Sequence, residues 1–135
     1  MNVLVIGGGG REHALAWKIA QSSKVGKVYC APGNPGIAEV AECVPYSTDN
    51  AFYIEHLADF SEKKNIGLAV VGPEVPLANG IADTFSKRGL RMFGPEMAGA
   101  RLEADKAFAK DLMSMCDVPT AEYGSFLDQI GRAHV

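Results

Sequence analysis

Four consecutive glycines, Gly7 to Gly10, are followed at once by Arg11, Glu12 and His13. Glycine has no Cβ, so its backbone N–H groups can come close to an anion, and a helix starting here adds partial positive charge. Gly8, Gly9 and Gly10 therefore suit a phosphate or a phosphorylated sugar. A tight turn alone needs only one or two glycines, so four argue for a ligand. Arg11 can pair with phosphate, and His13 can donate to phosphate or to a sugar hydroxyl. The plainer alternatives are a solvated arginine and a histidine packed under the loop. Gly72-Pro73-Glu74 sets a carboxylate just past an apolar run, where it can accept hydrogen bonds from two vicinal hydroxyls or from an amine. Its plainer alternative is an acid favoured at a helix N-terminus. Gly94-Pro95-Glu96 repeats the pattern, and there the plainer reading is preferred, because the chain leaves the sheet at that point. Asp105-Lys106 reads as part of an amphipathic helix, with Lys110 four residues on. Locally these lysines are an ordinary solvated face.

The glycine run is not a dinucleotide-binding fingerprint. Counted from Gly7, the third glycine of GxGxxG falls on Glu12; counted from Gly8, it falls on His13. The next apolar run ends Tyr29-Cys30-Ala31-Pro32, without the carboxylate that would hold a ribose hydroxyl of NAD. An oxidoreductase is disfavoured on both counts.

These residues need strands and helices to position them. Val3 to Ile6 is a β-branched-rich run that suits a strand buried on both faces. Arg11 to Gln21 reads as a helix, with Ala14, Leu15, Ile19 and Trp17 as candidates for its sheet-facing side. Lys27 to Ala31 is a second strand, closed by the turn signal Pro32-Gly33-Asn34-Pro35-Gly36. An extended stretch runs through Cys43 to Tyr46. Ser47 to Asn50 offer caps for a helix to about Lys64, with Ile54, Leu57, Ala58 and Phe60 or Ser61 as its apolar stripe. Ile66 to Val71 is a third buried strand. Pro76 fits the first turn of a helix reaching Arg88, and Leu90 to Phe93 is a last short strand. Alternating strands and helices predict an α/β fold: an open, mostly parallel, Rossmann-like sheet with helices on both faces. Such sheets bind ligands beyond the carboxyl ends of their strands, where the special residues fall. Ala98 to Cys116 reads as one helix opening a second unit, and Ala121 to Phe126 as an extended piece with no partner strand.

The 135 residues suit one compact domain. Hydrophobic residues make up 47% and charged ones 21%, enough apolar surface for a core and ordinary solubility. A net charge of −3 with scattered lysines and arginines gives no reason to expect nucleic acid as a partner. Three cysteines without a CxxC pair point to neither a disulfide framework nor a zinc site. The first apolar run is too short for a membrane span or a signal peptide, so a cytoplasmic location with no membrane partner is expected.

Taken together, MNVLVIGGGGREHALAWKIAQS, APGNPG, VVGPEVPLANGIADTF, FGPEMAGARLEADKAFAKDLM and VPTAEY resemble the N-terminal region of glycinamide ribonucleotide synthetase, also called phosphoribosylamine–glycine ligase. The likeness runs from Met1 to about Phe126. The family belongs to the ATP-grasp superfamily. The resemblance implies a pre-ATP-grasp domain at 1–96 and the start of an ATP-grasp region at 97–129; the hexapeptide Ile130 to Val135, which one reading frame of a common sequencing adapter would encode, is expected to be a non-native tail. It implies an ATP-dependent ligase of purine biosynthesis, with ATP and Mg2+ (or Mn2+) as cofactors of the full enzyme and none bound by this piece. The substrates would be phosphoribosylamine, glycine and ATP. Gly8, Gly9 and Gly10 would lie near the sugar phosphate. Glu74 would hold ribose hydroxyls, Asn34 and Gly36 would line the pocket, and Lys106 would meet ATP phosphates. A stand-alone sugar-phosphate or nucleotide-binding module is the alternative.

Overall fold

A computed structural model describes residues 1–46 and 52–124. Five strands, β1 (Asn2–Gly7), β2 (Lys27–Pro32), β3 (Glu42–Cys43), β4 (Ile66–Val71) and β5 (Met92–Phe93), form one sheet in the order β3-β2-β1-β4-β5. Every pairing is parallel. Val5 lies opposite Cys30 of β2 on one side and Val70 of β4 on the other, so β1 is the central strand.

Because strand side chains alternate, β1 feeds two cores. Leu4 and Ile6 join Tyr29, Ala31, Leu57, Ala69, Ile81 and Phe85 on one face of the sheet. Val5 joins Val28, Cys30, Ala16 and Ile37 on the other. The first face is covered by α2 (Tyr53–Lys63) and α4 (Ile81–Lys87), the second by α1 (Gly10–Ala20) and a 3₁₀ turn at Ile37–Glu39. The α/β architecture with helices on both faces is the one expected from the alternating pattern.

The side-chain details differ in several places. In α1 the buried residues are Glu12 and Ala16, with Leu15 and Ile19 half-buried. Ala14 is exposed and Trp17 is 54% exposed. Positions 12, 16 and 19 follow the helical i, i+4, i+7 spacing, so choosing Glu12 for the inner face turns Trp17 outward. In α2 the stripe is Tyr53, Leu57, Ala58, Phe60 and Ser61, with Ile54 half-buried. The Ser47 to Asn50 caps lie outside the described residues.

The single helix expected from Pro76 to Arg88 is two. α3 (Glu74–Ala78) stops at Asn79, and Gly80 (φ +82°) turns the chain into α4. The helix expected over Ala98 to Cys116 is likewise divided into α5 (Met97–Ala104) and α6 (Lys106–Met115). Asp105 leaves helical geometry at the break and caps α6, its carboxylate accepting the Phe108 N–H at 3.0 Å. That local bond competes with helix continuation, which is why Asp favours such positions. Ala100 of α5 is buried in the larger core, and Asp83 of α4 accepts the Met97 N–H at 2.8 Å. Residues 117–124 are exposed and form no strand. Their contacts with α6 are polar: Tyr123 donates to Asp111 at 2.7 Å, and Lys110 donates to the Ala121 carbonyl at 3.1 Å. Residues 125–135, including the end of the expected extended piece and the tail, lie outside the described residues.

Arg88, at the end of α4, clasps three acids of α2. It donates to Glu62 at 2.8 Å, to Asp59 at 2.6 Å and to Glu55 at 3.1 Å. The Arg88 hydrogen bond holds the Glu62 carboxyl below its usual range. A depressed carboxyl pKa contributes stability that is present above the unfolded value and lost as pH falls through the folded one. Melting temperature should therefore fall on acidification below the ordinary glutamate value of 4.5. Arg88→Ala should flatten that fall and lower the melting temperature at neutral pH, less so in high salt. By contrast Phe85→Ala empties a fully buried site, so denaturant unfolding should show a loss of about 3–5 kcal/mol.

Candidate functional site

Strand order reverses at β1, with β2 and β3 to one side and β4 and β5 to the other. The crevice beyond the carboxyl ends of β1 and β4 is thus the topological switch point, where open parallel sheets bind ligands. Gly7 to Gly10 and Gly72 to Glu74 both open onto it.

The crevice floor holds a residue that local motif reading passed over. Glu12 is 4% exposed. Its Oε2 accepts the Gly9 N–H at 2.7 Å, and its Oε1 accepts Arg11 Nε–H at 3.2 Å. A Cβ placed on Gly72 would lie 1.9 Å from Glu12 Oε1, and one on Gly7 would lie 2.6 Å from Glu12 Cγ. The ends of β1 and β4 are therefore glycine because Glu12 lies between them. Two signals in the sequence mark it: the i, i+4, i+7 spacing with Ala16 and Ile19, and its place in the third-glycine slot.

The turn after β2 closes one side of the site. Asn34 donates from Nδ2 to the Gly8 carbonyl at 2.8 Å, while its Oδ1 accepts the Ile37 N–H at 2.8 Å. Its amide thus ties the glycine loop to the 3₁₀ turn. Gly33 has φ +74° and donates to the Gly7 carbonyl at 3.2 Å. A Cβ there would also collide with the Cys43 Sγ, so glycine is strongly favoured. Cys30 donates to the Gly7 carbonyl at 3.3 Å, and burial pushes its thiol up to about 12. It is an inert structural thiol.

The remaining expected residues divide into two groups. His13 is half-buried and packs against Gly36, whose Cβ would come within 3.0 Å of the imidazole Cε1. Gly10 begins α1, where a helix N–H has no partner within the helix. Gly9 N–H is already committed to Glu12. Arg11 is exposed, with its side chain tethered through Nε. Glu74 is half-buried at the first position of α3, beside the same crevice. Gly8, Gly9, Gly10, Arg11, His13, Asn34, Gly36 and Glu74 are thus gathered at one end of the sheet. Lys106 is not among them: it is exposed in the first turn of α6, which packs against α5.

A cavity of about 430 Å³ opens beside Val25, Lys27, Val40 and Glu42. It lies at the amino ends of the strands and is spanned by the Lys27–Glu42 ion pair. The switch-point rule assigns ligand binding to the opposite end. Among the described residues no group of three or more His, Cys, Asp and Glu side chains could hold a metal ion, and no helix is long and apolar enough to cross a membrane.

An open parallel sheet with a glycine loop at its switch point defines a doubly wound, Rossmann-like small-molecule-binding domain. Within that class the relatives are specific. The family model described as phosphoribosylglycinamide synthetase, N domain, matches residues 1–103, and the chain belongs to that family. It is 52% identical over 128 residues to the phosphoribosylamine–glycine ligase of Pseudomonas syringae pv. tomato, covering 95% of this chain and 29% of that one. It is 54% identical over 129 residues to the enzyme of the same name from Mesorhizobium japonicum, again covering 95% of this chain and 29% of the relative. The chain thus spans under a third of the length of these curated relatives. The crystal structure of the Thermotoga maritima phosphoribosylamine–glycine ligase superposes with a TM-score of 0.60 at 27% identity, over 90% of this chain and 26% of that one. The biotin carboxylase domain of the Hydrogenobacter thermophilus 2-oxoglutarate carboxylase gives 0.68 at 18% identity, over 88% and 28%, which speaks for the fold alone.

The Glu12–Gly72 contact sets up a double-mutant test. Gly72→Ala should destabilise the fold by about 1–3 kcal/mol through overpacking. In a Glu12→Ala background the same change should cost much less, because the clashing carboxylate is gone. Denaturant unfolding of the four proteins measures the coupling, and additive costs would contradict the geometry.

Proposed function

We propose that this chain is the sugar-phosphate-binding end of a phosphoribosylamine–glycine ligase. The whole enzyme joins glycine to 5-phosphoribosylamine at the expense of ATP, giving glycinamide ribonucleotide in purine biosynthesis, in the cytoplasm. The observation that carries this is identity of about half over nearly the whole chain, with the glycine loop and Glu74 brought to one crevice.

In this reading a phosphate lies over the start of α1, meeting Gly8, the Gly10 N–H and the Arg11 guanidinium. His13, Asn34 and Gly36 shape the wall beside it. The Glu74 carboxylate accepts from the ribose hydroxyls, and so fixes where the 1-amine stands. Residues 1–96 form this binding unit, and residues 97–129 lead toward the ATP-binding part. α5 is the joint, anchored by Ala100 in the larger core. Lys106 faces ATP phosphates once the rest of that region is present. In this reading the metal, the bulk of the ATP site and the glycine site are supplied by the length of the relatives that this chain does not span.

Positioning two reactants together needs both sides of a site. The purified chain, given ATP, magnesium, glycine and phosphoribosylamine, should release no ADP above background. It should still bind ribose 5-phosphate, with amide shifts at Gly8 to Arg11 and Gly72 to Glu74, and NAD should not compete. A charged hydrogen bond contributes about 1.5–3 kcal/mol, so Glu74→Gln should weaken binding roughly ten-fold or more. Wild-type affinity in that variant, or stronger shifts of the same loop by NAD, would defeat the assignment.

A further inference from the structure

Glu12 carries a charge into the crevice without being able to touch a ligand freely, since it is 4% exposed. In a dinucleotide-binding fold this helix position is the third glycine, and the missing side chain lets the helix and strand close up under a pyrophosphate. Here a carboxylate fills that space and meets the ends of both β1 and β4.

Two consequences follow for an anion at the loop. The Gly9 N–H points to Glu12 Oε2 at 2.7 Å, so the loop has one donor fewer for a second phosphate group. A phosphate monoester needs fewer donors. Arg11 supplies them: only its Nε–H is bonded to Glu12, and a guanidinium carries four further N–H groups. The same carboxylate that removes a backbone donor thus tethers a guanidinium beside the loop.

We infer that Glu12 is a specificity-determining positioning residue, which holds Gly9 and Arg11 so that the crevice accepts a phosphate monoester and rejects a diphosphate. The inference rests on the sugar-phosphate reading of the crevice.

The test compares ribose 5-phosphate with ADP-ribose, which carries the same ribose 5-phosphoryl end as part of a diphosphate. Both are titrated by calorimetry into the full chain, and each variant's melting temperature is recorded. The wild type should prefer ribose 5-phosphate. Glu12→Gln keeps an acceptor for Gly9 but no longer holds Arg11 with a charge, so ribose 5-phosphate should bind about ten-fold more weakly and the preference should narrow accordingly. Glu12→Asp keeps the charge and loses the reach to Gly9 and Arg11. It should bind ribose 5-phosphate about ten-fold more weakly while the freed Gly9 N–H spares ADP-ribose, so the preference should narrow here too. A purely structural role would weaken both ligands alike and leave the ratio unmoved. Failure of the wild type to bind ribose 5-phosphate would remove the site reading and this inference with it. Wild-type binding with an unchanged ratio in Glu12→Gln would sink the inference alone. If the glutamine variant does not fold, the aspartate variant decides: an unmoved ratio of the two affinities would overturn the role.

Discussion

Burial of β1 on both faces is the constraint from which the rest of the molecule follows. A strand paired on both edges and covered on both sides has no polar surface, and Val3 to Ile6 are all at most 2% exposed. Its partners are parallel, so each must be reached by a crossover that returns over a face of the sheet. Those crossovers supply α1 and the 3₁₀ turn on one side and α2 and α4 on the other. With β1 in the middle, the chain first builds outward through β2 and β3, then returns to build through β4 and β5. The reversal opens the crevice, and β1 delivers its glycine loop directly into it.

Within the crevice one carboxylate organises the backbone around it. Glu12 satisfies Gly9, tethers Arg11 and lies where side chains on Gly7 and Gly72 would have to be. A buried charge is costly unless hydrogen-bonded, and here both oxygens have donors. Asn34 does comparable work from the neighbouring turn, bonding Gly8 with one end of its amide and Ile37 with the other. Several residues that look like ligand contacts are thereby loop supports. Arg11 stays exposed beside the loop, and Glu74 is half-buried at the start of α3.

Much of this was legible in the sequence because it depends on local chemistry. The apolar runs gave the three long strands, and the glycine and Gly-Pro-Glu signals marked the carboxyl ends of strands. The misjudged details are those where two good local signals competed. Trp17 is apolar, but the helix has one inner face, and Glu12 with Ala16 and Ile19 takes it. Nothing local forbids one helix from Pro76 to Arg88 or from Ala98 to Cys116. Gly80 and Asp105 end them, one by a positive φ and the other by capping the next turn.

The residues themselves determined the fold class, the strand ends and the family, because periodicity, turn chemistry and a specific run such as GGGGREHALAWK survive without coordinates. The tertiary structure decided what Glu12 is for. In one dimension it is an acid in a slot where a dinucleotide-binding loop would have glycine. Only when β4 is placed beside β1 does Gly72 come within contact of its carboxylate, sixty residues away along the chain. Strand neighbours in a parallel sheet are set by crossovers and burial, not by adjacency in sequence, and so are the contacts that shape the crevice.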